Sequence, residues 1–256
     1  MFAPFSFSAV MFQKMLYNTA MLRFIYKLRK ITDATINLMK WPVVLILFPL
    51  VLPMLQSTFY YYKNVFTNWQ ELWLFLGGFG FMVFSWVVLI GRKNLVASTM
   101  EHEMTHAIFA LLTFHNVTNL EAHYDGNGVT SFQGGRNWLI TIAPYFFPTL
   151  SVGVFVVAVI TYMITGQVIP WLNLALGMTT GYHFLAVIFE IHPEQTDLQK
   201  VGFFWAFLFI PSANLLSYVL MFAVVDNGIS GVLNFLNILY RISLHDIMMI
   251  VNTFKI

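Results

Sequence analysis

Six apolar runs alternate with short polar stretches along this chain. Residues 41–56, 73–90, 95–114, 138–165, 171–191 and 201–225 consist mainly of Leu, Ile, Val, Phe, Met and Ala. A helix needs about 20 apolar residues to cross the hydrocarbon core of a bilayer, and most of these runs approach that length. The first carries Pro42, Pro49 and Pro53, so it either spans or enters and returns. The second is uninterrupted and stops at Gly91-Arg92-Lys93, and the fourth contains Pro144 and Pro148. Ahead of them, residues 1–13 are apolar but short, and Lys14, Arg23, Lys27, Arg29, Lys30 and Lys40 follow. That pattern predicts an interfacial amphipathic segment rather than a cleaved leader. Residues 226–256 predict one or two further helices.

The polar stretch 115–137 breaks the helical period. Val117, Leu120, Ala122 and Tyr124 precede Asp125-Gly126-Asn127-Gly128, and Val129 to Gln133 follow. Asp-Gly and Asn-Gly between extended runs predict a β-hairpin. The glycine spacing fits no nucleotide-binding fingerprint. The expected fold is therefore an all-α polytopic membrane protein with about five to six transmembrane helices. A short membrane-associated β-hairpin follows the third apolar run. The expected organisation is a basic amphipathic segment (1–40), one membrane-embedded domain (41–225, with a core at about 95–225) and a helical tail (226–256).

Composition supports the membrane reading. Charged residues make up 9% and hydrophobic residues 59%, whereas a soluble domain carries about 25% charged residues. A soluble domain, a disordered chain and a nucleic-acid binder with a basic face are excluded. The net charge of +2 is too small to imply an anionic partner, and the absence of Cys excludes disulfides and thiolate chemistry. Any catalytic metal must sit on His, Asp and Glu.

The third run holds such a set. It reads Glu101-His102-Glu103-Met104-Thr105-His106, which is HExxH. Residues four apart share one helix face, so His102 and His106 can bind one zinc ion, and Glu103 can take a proton from water on that ion. Charges inside a membrane helix each cost at least ~2.5 kcal/mol and are functional by default. A catalytic zinc needs a third protein ligand. His123 and Asp125 belong to the turn, Asp226 to a helix end, Asp246 to a polar tail, and His183 reads as a packing histidine. The segment Glu190-Ile191-His192-Pro193-Glu194-Gln195-Thr196-Asp197 differs, because its proline breaks a membrane helix beside carboxylates. Asp197, His192 and Glu190 compete there on these grounds.

This order of features resembles the site-2 protease family of intramembrane zinc metalloproteases. The resemblance covers about 95–225: HExxH at His102 to His106, the hairpin, Ala143-Pro144 opening the next helix, and the segment from Pro193 to Asp197. It implies one Zn²⁺ per chain on His102, His106 and Asp197, with Glu103 as catalytic base. It also implies an integral, multi-pass location and a transmembrane or membrane-associated polypeptide as substrate, held as an extended strand by the hairpin. Three rival readings belong to other classes. One is an inactive escort of the same fold, and one is a transporter whose buried His and Glu line an ion path. The third is a chambered zinc protease with Glu190 as third ligand. Depth sets a condition: His102 is about 14 Å of helix beyond Arg92, whereas Asp197 follows a full-length run. The two meet only if the helix at 171–191 tilts or Pro193 to Asp197 stays within the membrane. Topology sets another. Counting positive charges places the N-terminus in the cytoplasm and the hairpin outside if both early runs span, whereas the resemblance places the hairpin toward the cytosol.

Overall fold

A computed structural model describes residues 19–65, 72–90, 96–123, 127–166 and 169–254. The apolar segment 1–13, the Gly91-Arg92-Lys93 stop and the Asp125-Gly126 turn lie outside the described residues. The chain is mostly helical, with one two-stranded sheet. In order it forms α1 (Thr19–Leu38), α2 (Lys40–Leu47), α3 (Val51–Val65), α4 (Leu72–Ser85, continued by a π-turn over Trp86–Ile90) and α5 (Val96–Leu112). Then come β1 (Val117–Ala122), β2 (Gly128–Phe132), α6 (Trp138–Ile142), a 3₁₀ turn (Ala143–Tyr145), α7 (Thr149–Thr165), α8 (Pro170–Glu190), α9 (Thr196–Val201) and α10 (Phe203–Phe254).

Prolines decide where the expected spans bend. Pro49, which cannot supply a helical N–H, lies in the break between α2 and α3, and these helices meet at 48°. The run at 138–165 is bent by 82°, because Ala143-Pro144 opens a 3₁₀ turn and Pro148 caps α7. The tail is helical to Phe254, with a break where Asn227 and Gly228 leave helical geometry. By length and composition, two helices among the described residues can cross a bilayer, and up to four if each bent pair is one span. The sequence runs led to an expectation of about five to six. Leu72–Val88 is a shorter apolar helix, and α5 is 17 residues long with two glutamates inside. The outer surface is apolar, with Met163, Ile164, Leu38, Phe59 and Phe207 all largely exposed, as suits contact with lipid chains.

Two features hold the framework that carries the polar residues. First, α4 and α8 touch backbone to backbone. A Cβ on Gly177 would lie 2.0 Å from the carbonyl oxygen of Phe75, and one on Gly78 would lie 2.2 Å from that of Leu174. Any side chain at either position forces the helices apart, the usual reason for glycine at membrane helix contacts. Second, an aromatic core of Trp138, Tyr145, Trp205 and Phe209 locks α6 and its turn against α9 and α10. The basic helix α1 is fastened to the segment after the hairpin. Asp33 accepts from Asn137 Nδ2 at 2.7 Å and lies 3.3 Å from His115 Nε2, and Arg29 donates to the Gln133 carbonyl at 2.9 Å.

Candidate metal centre

Helix α5 forms the floor of the site. Its buried face carries Glu101, Glu103, Thr105 and His106, while His102 is partly exposed. Several of these polar groups bind neighbouring elements. Glu101 Oε1 accepts from the Leu150 N–H at 3.3 Å, placing a carboxylate at the N-terminus of α7, where the helix dipole favours it. Thr105 Oγ1 is 2.5 Å from Thr149 Oγ1 and also donates to the Glu101 carbonyl. The residues of the motif that carry no obvious chemistry thus hold α5 against the first turn of α7.

The hairpin forms where the alternation and the turn residues predict, with β1 and β2 antiparallel and Leu120 opposite Thr130. Strand β2 is tied to α5 by Thr130 Oγ1, which donates to the Glu103 carbonyl at 2.8 Å. Its first residue, Gly128, lies directly over Glu103: a Cβ there would fall 2.6 Å from Glu103 Cγ and 2.8 Å from Oε1. Glycine is needed at this place because the strand approaches the glutamate so closely.

His102, His106 and Asp197 converge, each offering one ligand atom, all within 4.8 Å of one another. His106 Nε2 is 3.1 Å from His102 Nε2 and 3.0 Å from Asp197 Oδ2, and His102 Nε2 is 3.7 Å from the same oxygen. Atoms bound tetrahedrally at 2.0–2.1 Å lie about 3.3 Å apart, so this triangle has the size a zinc ion requires. The far sides of the rings fix the tautomers. His106 Nδ1 is 2.7 Å from the Ile140 carbonyl, which can only accept, and His102 Nδ1 is 3.0 Å from Glu190 Oε2. Both Nδ1 atoms therefore carry the proton in the neutral rings, and both Nε2 atoms present lone pairs toward a carboxylate oxygen. Three acceptors facing one point repel one another unless a cation lies between them. Nδ1–H to a carboxylate or a backbone carbonyl is the usual outer support of metal-binding histidines.

The other oxygen of Asp197 is held from behind. Its Oδ1 accepts from Arg136 Nη1 at 3.3 Å and from Lys200 Nζ at 3.3 Å. Arg136 also donates to the Thr130 carbonyl, so one guanidinium links β2 to the aspartate. The sequence reading missed Arg136 and Lys200. Lys200 had a signal, since it lies one helical turn after Asp197; Arg136 had none.

The remaining candidates separate cleanly. Glu190 stands behind His102 rather than in the triad, and His192 is exposed. His115 is buried against Asp33 and the Gly135 carbonyl, and His123 is an exposed neighbour of Glu121. His183 packs beside the Tyr218 ring, Asp226 accepts from the Tyr61 hydroxyl, and Asp246 lies by His245 at the surface. The depth condition is met at the end of α8. That helix stops at Glu190, and the Pro193 segment returns the chain so that α9 starts at Thr196, with Asp197 buried against α5.

A family model described as Peptidase M50B-like matches residues 76–248, about two thirds of the chain. The chain belongs to this family. Peptidase M50B-like proteins are part of the site-2 protease family, whose members are membrane-embedded proteases and typically zinc-dependent. The matched stretch runs from within α4 into the second half of α10 and so includes every residue of the triad. No curated protein and no solved structure matches the chain.

Proposed function

We propose that this M50B-like chain is an intramembrane zinc endopeptidase that hydrolyses peptide bonds of transmembrane or membrane-associated polypeptides. One observation carries the reading: three lone-pair atoms, His102 Nε2, His106 Nε2 and Asp197 Oδ2, face one another at ligand spacing on an HExxH helix of an apolar protein. These three residues would hold one Zn²⁺ per chain. When bound, the ion supplies a water of near-neutral pKa and a Lewis acid for the peptide carbonyl.

The protein groups do the rest. Glu103, buried beside His102, accepts a proton from the attacking water and returns it to the leaving amine nitrogen. A helical peptide bond is closed by its own hydrogen bonds, so the substrate must be unwound first. The hairpin offers extended backbone along which an unwound strand can pair, and Thr130 fixes that backbone to α5. Arg136 keeps the hairpin in register with Asp197. The bends at Pro49 and at Ala143 to Pro148 are places where helices can part to admit a substrate.

The test is zinc content and cleavage together. Purified protein is expected to contain about one zinc per chain. It is expected to cleave an apolar peptide of about 20 residues in micelles, and to lose that activity to a chelator and regain it with zinc. Protein without zinc after zinc has been supplied sinks the reading. Glu190 provides a finer check. If it only orients His102, Glu190→Ala weakens zinc binding by roughly 10–100-fold without abolishing it. Titration against a zinc-sensitive dye measures this. Complete loss would make Glu190 a ligand and favour the chambered type of zinc protease.

A further inference from the structure

Tyr145 ends the 3₁₀ turn beside the triad, and its side chain is fully buried. Its phenol oxygen has no hydrogen-bond partner among the described residues. Burying a hydroxyl unpaired is costly, so for packing alone phenylalanine is the more stable choice. The ring stands edge-on to the His102 imidazole, with centroids 5.3 Å apart and planes at 88°.

The residue is also held rigidly. Its carbonyl accepts from Asn214 Nδ2 at 2.7 Å, and its ring belongs to the core that includes Trp138, Trp205 and Phe209. The helix leading into the same turn provides the Ile140 carbonyl that orients His106. One short segment therefore fixes a triad histidine and places a buried, unpaired tyrosine beside the ring of the other. A donor that is fixed and unpaired before substrate arrives is the arrangement that stabilises charge developing in a transition state.

We propose that the Tyr145 hydroxyl donates a hydrogen bond to the scissile carbonyl oxygen as that oxygen becomes an oxyanion. This rests on the zinc-peptidase reading and adds a catalytic residue that HExxH does not specify. The chemistry balances without a proton from tyrosine. Water adds to the carbonyl carbon, forming the C–O bond, and the C–N bond breaks. The proton taken from water travels through Glu103 to the amine. Tyr145 keeps its proton throughout.

The test compares wild type with Tyr145→Phe, which removes one oxygen and leaves the packed ring. Two probes are used: an internally quenched apolar peptide of about 25 residues in micelles, and a phosphinic peptide of the same sequence that mimics the tetrahedral anion. Tyr145→Phe is expected to lower kcat roughly 10²–10³-fold. KM and zinc content stay unchanged, and affinity for the phosphinic peptide falls by a similar factor. Binding of the uncleaved amide peptide, measured in a Glu103→Gln background, stays the same with and without Tyr145→Phe. Full kcat and full phosphinic affinity in Tyr145→Phe overturn the proposal. So does a loss of zinc or a rise in KM that accompanies the fall in kcat, because either marks a structural role. Wild-type protein without zinc, or wild-type protein that holds zinc and never cleaves the peptide, defeats the peptidase reading itself and this proposal with it. If wild type holds zinc and depends on Glu103 while Tyr145→Phe is silent, only the present proposal falls.

Discussion

Asp197→Ala protein is expected to come off purification almost without zinc, where wild type carries about one ion per chain. Asp197 Oδ2 lies 3.0 Å from His106 Nε2 and 3.7 Å from His102 Nε2, and among the described residues it is the one carboxylate grouped with both histidines at ligand spacing. His192 is exposed, and the Glu190 carboxylate is engaged at His102 Nδ1, on the side of the ring away from the triad. Two histidines alone make a weak site, so the loss should exceed the roughly 10–100-fold that an outer partner of a ligand is worth. The same substitution frees Arg136 and Lys200 from their shared carboxylate oxygen. A lower melting temperature should therefore accompany zinc loss, and elemental analysis beside a thermal melt reads both. Zinc retained at wild-type stoichiometry moves the third ligand elsewhere and breaks the proposed triad.

Glu103→Gln is expected to do the opposite: zinc is kept and cleavage is lost. The amide is nearly isosteric, and the hydrogen bond from Thr130 goes to the main-chain carbonyl of residue 103, so the hairpin stays attached. What disappears is the capacity to accept a proton. General acid–base catalysis by a positioned group is worth roughly 10²–10⁴-fold, and kcat should fall by that much. Gly128 packs against Glu103 Cγ and Oε1, which keeps the longer-range geometry the same in both proteins. Single-turnover cleavage with a zinc measurement on the same sample decides the matter. Equal rates in mutant and wild type would show that Glu103 is not the base. A wild-type protein that binds zinc and a membrane peptide yet never cleaves it would favour the inactive escort.

Much of the candidate metal centre was legible because its key pair is local. His102 and His106 are four residues apart on one helix, and helical geometry alone places them on one face. The hairpin was legible for a similar reason, since turn residues between two extended runs specify it within about 15 residues. The third member of the triad was not local. Asp197 is 91 residues from His106, and spacing alone left it level with Glu190 and His192. Only the resemblance to the site-2 proteases favoured it, and the fold then separated the three by burial and distance. Arg136 and Tyr145 were missed because nothing in their sequence surroundings distinguishes a charge or an aromatic that packs beside a distant cluster from one that does not.

The sequence by itself determined that this is an apolar helical chain with HExxH in one helix, a hairpin after it and a proline-broken segment rich in carboxylates. Hydrophobic runs, turn chemistry and i, i+4 spacing are properties of neighbouring residues, and they can be read wherever the chain goes. Tertiary structure decided where the runs bend, since the angles of 48° and 82° fall at breaks that contain prolines. It also decided which carboxylate faces the histidines and which stands behind them. Those choices depend on α8 approaching α4 closely enough for glycine backbones to touch and on the turn after Glu190 returning the chain to α5. Both are contacts between residues far apart in sequence, which no local pattern encodes.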